Sequence, residues 1–275
     1  MAKKIIKNLI LILFITIMIF SLTGCSKQKT DEEQLREKNI SEIQYIDNYI
    51  LLMLNNINNI DLKQYNTKIE NTENLNEVLK EEENSKSNNV QYSMMQTTIL
   101  NSDKTTNWQN LKIQIENLNK IWPSIIVDLY KANIENNKLT EFSDLLNICI
   151  KNIKDENRVE TLKNLSRLYE YVPIYLEKIV EDNQKFEIAK TKVDVIKAYV
   201  NINLENWEEL TKNLENAIKN FEPIVNNVSE VEKEYNVKKA YVLLQEFKNS
   251  INTKDKEILF SKYKNLMEEL IIGLK

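Results

Sequence analysis

Apolar residues recur at steps of three and four along most of this chain. Ile43, Ile46, Ile50, Leu54, Ile57 and Ile60 form one such stripe, and it predicts a helix over 31–60 whose single apolar face must bury against something. Thr30 and Glu33 stand at the spacing of a capping box at its start. The pattern lapses over 62–105. The run from Glu81 to Asn89 is polar throughout, and 66–92 reads as a mobile linker with room for a short helix over 75–82. Met94, Met95, Ile99 and Leu100 are placed to dock back on the body. From 107 the helical period returns and predicts consecutive amphipathic helices over 107–134, 139–153, 156–181, 184–203, 206–227, 229–250 and 254–272. Short connections make neighbours antiparallel. The expected fold is all-α, an irregular antiparallel bundle of about eight helices.

Internal similarity runs through the second part. Asn107-Trp108-x-x-Leu111-x-x-x-Ile115-Glu116-Asn117 is echoed by Asn206-Trp207-x-x-Leu210-x-x-x-Leu214-Glu215-Asn216, and Lys197-Ala198-Tyr199-Val200 by Lys239-Ala240-Tyr241-Val242. Pro123, Pro173 and Pro223 lie fifty residues apart. These features predict a degenerate helical-hairpin repeat of about fifty residues, weakest in its middle copy around 155–173. Proline removes a helical hydrogen bond and crowds the preceding turn, so bent or broken helices are expected at all three. The period does not suit a tetratricopeptide solenoid, and small residues for close helix crossings are scarce.

Composition removes several kinds of chemistry. The chain has no histidine, and its 2 glycines are Gly24 and Gly273. Without histidine, common zinc sites, Ser-His-Asp triads and Cys-His pairs cannot be built. Without interior glycine there are no phosphate-cradling loops. Ser261-Lys262-Tyr263-Lys264 matches Ser-x-x-Lys of penicillin-binding enzymes, but it falls inside a helix and its companion motifs are missing. No carboxylate pair stands out as a sugar-hydrolysing couple. Cys149, in Leu145-Leu146-Asn147-Ile148-Cys149-Ile150, reads as a core thiol. Trp108, Trp122, Trp207, Tyr199 and Tyr241 fall on apolar stripes and read as core rather than as a ligand cage. No catalytic, cofactor or metal residues are assigned, and a non-enzyme is expected.

The N-terminus is of another kind. Lys3, Lys4 and Lys7 precede an apolar run from Leu9 to Phe20 interrupted only by Thr16. The run is shorter than the ~20 residues of a spanning helix, and the sequence of charged start, apolar middle and small-residue end is that of an export signal. Leu22-Thr23-Gly24-Cys25 resembles the lipobox of bacterial lipoproteins. The resemblance implies a diacylglyceryl group on the Cys25 sulfur and cleavage between Gly24 and Cys25. Two acyl chains hold a protein stably on a bilayer where one does not. The domain plan is then 1–24 signal peptide, 25–31 tether, 32–62 N-terminal helix, 63–105 linker and 106–275 helical domain. Loss of the signal's three lysines leaves 34 basic and 41 acidic side chains, a formal charge of −7. That balance argues against nucleic-acid partners and against a basic membrane-binding surface.

Taken whole, the chain is similar to a group of uncharacterised lipoproteins of clostridia-type Gram-positive bacteria. The likeness rests on the lipobox, Glu33-Gln34-Leu35-Arg36-Glu37, the low-complexity linker, Asn107-Trp108, and the closing stretch from Lys254-Asp255-Lys256-Glu257 to Lys264-Asn265-Leu266-Met267-Glu268-Glu269. It implies a helical body held on the outer face of the cytoplasmic membrane and no particular activity. The functional expectation is a lipid-anchored, non-catalytic interaction domain for an envelope protein or cell-wall component. The alternative is a surface receptor binding a small ligand between helices.

Overall fold

The computed structural model describes residues 30–60, 62, 105–180, 183–228 and 231–273. The helices are α1 (Asp31–Ile57), α2 (Trp108–Lys131), α3 (Asn136–Lys154), α4 (Arg158–Tyr169), α5 (Tyr171–Ile179), α6 (Asn183–Leu204), α7 (Trp207–Asn227), α8 (Val231–Ser250) and α9 (Lys256–Glu268), the last followed by a π-turn at Glu269–Gly273. The described residues contain no strand, and the fold is an all-α bundle. The signal, the lipobox and nearly all of 63–105 lie outside the described residues.

The capping box at the head of α1 is formed. Thr30 N–H donates to Glu33 Oε2 at 3.0 Å, and Glu33 N–H to Thr30 Oγ1 at 3.2 Å, which satisfies two of the otherwise orphaned donors. Residues from Arg36 to the end form one compact unit, so α1 from Arg36 belongs with the body rather than standing apart as a separate N-terminal helix. Between Asn39 and Ile60 only Gln44, Leu52 and Asn59 are exposed. A one-sided stripe would leave far more in water. Thr106 Oγ1 donates to the Ile57 carbonyl at 3.0 Å, which places the residues just before α2 beside the end of α1.

The repeat is real, and it is set by the turns. Asn107, Asn157 and Asn206 each cap a helix by accepting the N–H three residues on, at 3.0, 3.2 and 3.3 Å. Asp255 does the same for α9. The caps are 50, 49 and 49 residues apart. The middle copy, faint in sequence because Arg158 replaces the tryptophan, is present with the same cap. A hexapeptide marks the turns: Asn152-Ile153-Lys154-Asp155-Glu156-Asn157, Asn201-Ile202-Asn203-Leu204-Glu205-Asn206 and, less closely, Ser250-Ile251-Asn252-Thr253-Lys254-Asp255. Its fifth residue is left-handed each time (Glu156 φ 54°, Glu205 φ 57°, Lys254 φ 50°), and its backbone N–H returns to the isoleucine carbonyl, closing the end of one helix directly against the start of the next. The Lys-Ala-Tyr-Val echo is out of step. Its copies are 42 residues apart, and Val200 is 6% exposed while its counterpart Val242 is 50% exposed.

These left-handed positions favour glycine, yet the chain fills them with Glu and Lys. A left-handed L-residue costs roughly 1–2 kcal/mol, partly offset by the greater unfolded-state freedom of glycine. Glu205→Gly should therefore stabilise the protein by about 0.5–1 kcal/mol. The surface ion pair it removes, with Lys256 at 2.6 Å, is worth little where Glu205 is so exposed. Thermal melting of the purified chain checks this.

Two of the three prolines leave their helices unbroken. α2 and α7 run through Pro123 and Pro223, because buried residues on both sides, such as Leu118, Trp122, Ile125 and Leu129, hold the stripe in place. At Pro173 the helix does break. α4 ends at Tyr169, whose carbonyl would otherwise bond the missing Pro173 N–H, and α5 restarts at Tyr171.

From α2 onward each helix packs on its sequence neighbour, and α6 is the hub, lying against α4, α5, α7 and α9. Its buried residues, from Ile188 and Ala189 through Val195, Ile196, Ala198 and Tyr199 to Ile202, leave no clean polar side. Large side chains fill the interior: Tyr169, Tyr175, Tyr199, Tyr263, Phe142, Phe221 and Phe247 are all sealed from solvent.

Candidate functional site

Three polar clusters fasten α1 into this interior. At mid-helix, Lys192 of α6 donates to both oxygens of Asp47, at 2.9 and 2.6 Å, and Tyr169 of α4 donates to Asp47 Oδ1 at 2.6 Å. The Lys192 side chain is 6% exposed and that of Asp47 17%. The ammonium also lies 5.6 Å from the centroid of the Tyr169 ring. Burial, and then the charge of Asp47, hold the Tyr169 hydroxyl protonated far above its ordinary range. Lysine, carboxylate and tyrosine could in principle exchange protons. Here the carboxylate's oxygens are engaged by the lysine and tyrosine, and Asp47 is not among the residues lining the two grooves beside α6. The arrangement is a clamp.

The second cluster gathers at the turn end of the bundle. Tyr199 donates to the Leu54 carbonyl at 2.7 Å and accepts from Asn58 Nδ2. Arg158, at the first position of α4, donates to Asn58 Oδ1 and, at 2.9 Å, to Asn203 Oδ1. One guanidinium therefore ties together the turns after α1, α3 and α6. Asn56 joins the set by donating to Gln114 Oε1 of α2 at 3.1 Å. The Tyr199 ring stacks on Tyr263 of α9 at 4.6 Å. The third cluster is at the opposite end, where Lys38 and Lys131 both donate to Asp128 of α2, with Glu42 beside them.

The residues singled out in the sequence fall as follows. Cys149 is fully buried, and burial pushes its thiol up to about 12, which leaves it protonated and a poor nucleophile. Ser261 and Lys264 lie on one face of α9, and Lys264 pairs with Glu268 at 3.9 Å. Trp122 stacks on Phe142 at 4.2 Å and donates to Ser143 Oγ at 2.8 Å. Tyr199 belongs to the α1 cluster, Trp108 and Trp207 open α2 and α7, and Tyr241 is half-buried on α8. Trp122 and Tyr199 thus lie in the core, Trp108, Trp207 and Tyr241 are partly buried against it, and none of the five lines either groove beside α6. Gly24 and Cys25 lie outside the described residues.

Two open grooves flank α6. One, of about 240 Å³, is lined by Asn183, Gln184, Glu187, Pro223, Ile224 and Asn227 among others. The other, of about 270 Å³, lies over Pro173, Lys190, Asp194 and Asn220. In the second, Asp194 accepts from Asn220 Nδ2 at 2.7 Å, and burial raises its carboxyl above the usual range. Both volumes lie below the roughly 300–1,000 Å³ of typical small-molecule sites. Among the described residues no cluster of acidic or cysteine side chains could hold a metal ion, and no helix is long and apolar enough to cross a membrane. No protein-family model, curated protein or solved structure matches the chain.

Proposed function

We propose that this chain is a surface lipoprotein, held on the outer face of a bacterial cytoplasmic membrane by a diacylglyceryl group on Cys25, with a non-catalytic helical body that engages an envelope protein or cell-wall component. The observation that carries the anchor is Leu22-Thr23-Gly24-Cys25 directly after a charged and apolar leader. The reading of the body is supported by its interior. The polar side chains of the interior, Asp47, Lys192, Tyr169, Arg158 and Tyr199, are spent on holding α1. What remains for recognition is the outer surface. The alternative of a small ligand held between helices loses its motivation, since the aromatic residues that suggested it pack in or against the core and line neither groove beside α6.

Growth with labelled fatty acid, followed by detergent phase partitioning, tests the anchor. Wild type should carry label and enter the detergent phase, and Cys25→Ala should carry none. Equal labelling of the two would contradict the proposal. For the body, cross-linking in intact cells should repeatedly recover one envelope or cell-wall component. Failure to recover any would count against an interaction role and leave the anchor untouched.

A further inference from the structure

The α1–α2 contact contains one acidic group too many for its hydrogen bonds. Asp128 is nearly sealed, with its side chain 7% exposed, and it takes both ammonium groups: Lys38 at one oxygen and Lys131, at 3.0 Å, at the other. Glu42, one turn along α1 from Lys38, has a side chain 12% exposed and is 3.8 Å from that same lysine through Oε1. Its Oε2 is buried and has no hydrogen-bond partner among the described residues. Lys38 therefore stands between the two carboxylates, paired with Asp128 Oδ2 and with Glu42 Oε1. Two buried carboxylates that share one lysine repel each other when both are ionised, and a proton on one of them relieves that repulsion. Asp128 cannot be the one to take it, because its two lysines outweigh burial and hold its carboxyl low.

We propose that Glu42 is a proton-binding site that fastens the N-terminal half of α1 to the end of α2 as the surroundings become mildly acidic. The charged groups facing it are Lys38 on its own helix and Asp128 and Lys131 on α2. Burial first, and then the charge of Asp128, push the Glu42 carboxyl up to about 7. A raised carboxyl binds its proton more readily in the folded state, so stability is gained as pH falls from above 7 towards the unfolded value near 4.5. Lys38, raised, and Asp128, lowered, act outside that window.

The experiment compares melting of wild type and Glu42→Gln at pH 8 and pH 5.5, and follows the Glu42 side-chain carboxyl carbon by NMR in wild type. Glutamine has the same shape and does not titrate. The variant should melt higher than wild type at pH 8, by about 2–4 °C, and the two should converge at pH 5.5. The carboxyl carbon should titrate near neutrality. Parallel melting shifts in the two proteins, or a Glu42 midpoint in the ordinary carboxylate range, would overturn the proposal. The NMR arm decides the matter even if the variant folds poorly.

Discussion

Replacing Asp47 by alanine should cost about 3–5 kcal/mol of folding stability, a large share of the roughly 5–15 kcal/mol that holds a domain together. The alanine removes both acceptors of Lys192, whose side chain is only 6% exposed, together with the acceptor of the fully buried Tyr169 hydroxyl. An unpaired ammonium in the interior is the most expensive defect available here, because its desolvation is no longer offset by the carboxylate. The cost belongs to the orphaned partner more than to the lost pair. Asp47→Leu combined with Lys192→Met should therefore recover most of the loss, since apolar replacements of similar volume leave no charge behind. Denaturant midpoints of the single and double variants measure this. A double variant as unstable as Asp47→Ala alone would show that the pair is worth more than its desolvation.

Tyr199→Ala should cost a comparable 3–5 kcal/mol, for a different reason. The ring is fully buried, stacks on Tyr263 and touches Phe260, so its removal opens a cavity among α1, α6 and α9. Tyr199→Phe keeps the ring and removes only the hydroxyl that bonds the Leu54 carbonyl and Asn58. It should cost about 1–3 kcal/mol, the desolvation of a buried partner left unmade. Equilibrium unfolding gives both totals. Hydrogen exchange along α1 locates them, with amides near Leu54 and Ile57 losing the most protection.

Much of the helical architecture was legible because helices announce themselves locally. The stripe of α1, its Thr30–Glu33 box and the Asn107 and Asn206 caps all depend on residues within a few positions of one another. The surroundings of α1 were not legible. Asp47, Asn56 and Asn58 lie off the apolar stripe, and their partners are far along the chain: Tyr169 is 122 residues from Asp47, and Lys192 is 145. No local period can encode pairing at that separation. The weak amphipathicity of Asn183–Leu204, with Thr191, Lys192 and Asp194 among its buried residues, was the one available sign of a helix covered on several sides. Scarce glycine was a poor guide to the turns, since Asn59, Asn133, Glu156, Glu205 and Lys254 all adopt left-handed backbone. The repeat was visible through Asn-Trp and hidden in its middle copy, where Arg158 was recruited to bridge Asn58 and Asn203. As for the candidate site, Cys25 and Gly24 stand on the sequence alone.

The intact mass of the protein extracted from membranes tests most directly what becomes of the first twenty-five residues. The chain should begin at Cys25, with residues 1–24 gone and the mass of a diacylglyceryl group added, and mild alkaline hydrolysis of the ester-linked acyl chains should remove two fatty acids from that group. A membrane-extracted protein that retains Met1 or its leader, or one that begins elsewhere with an unmodified Cys25, would contradict it.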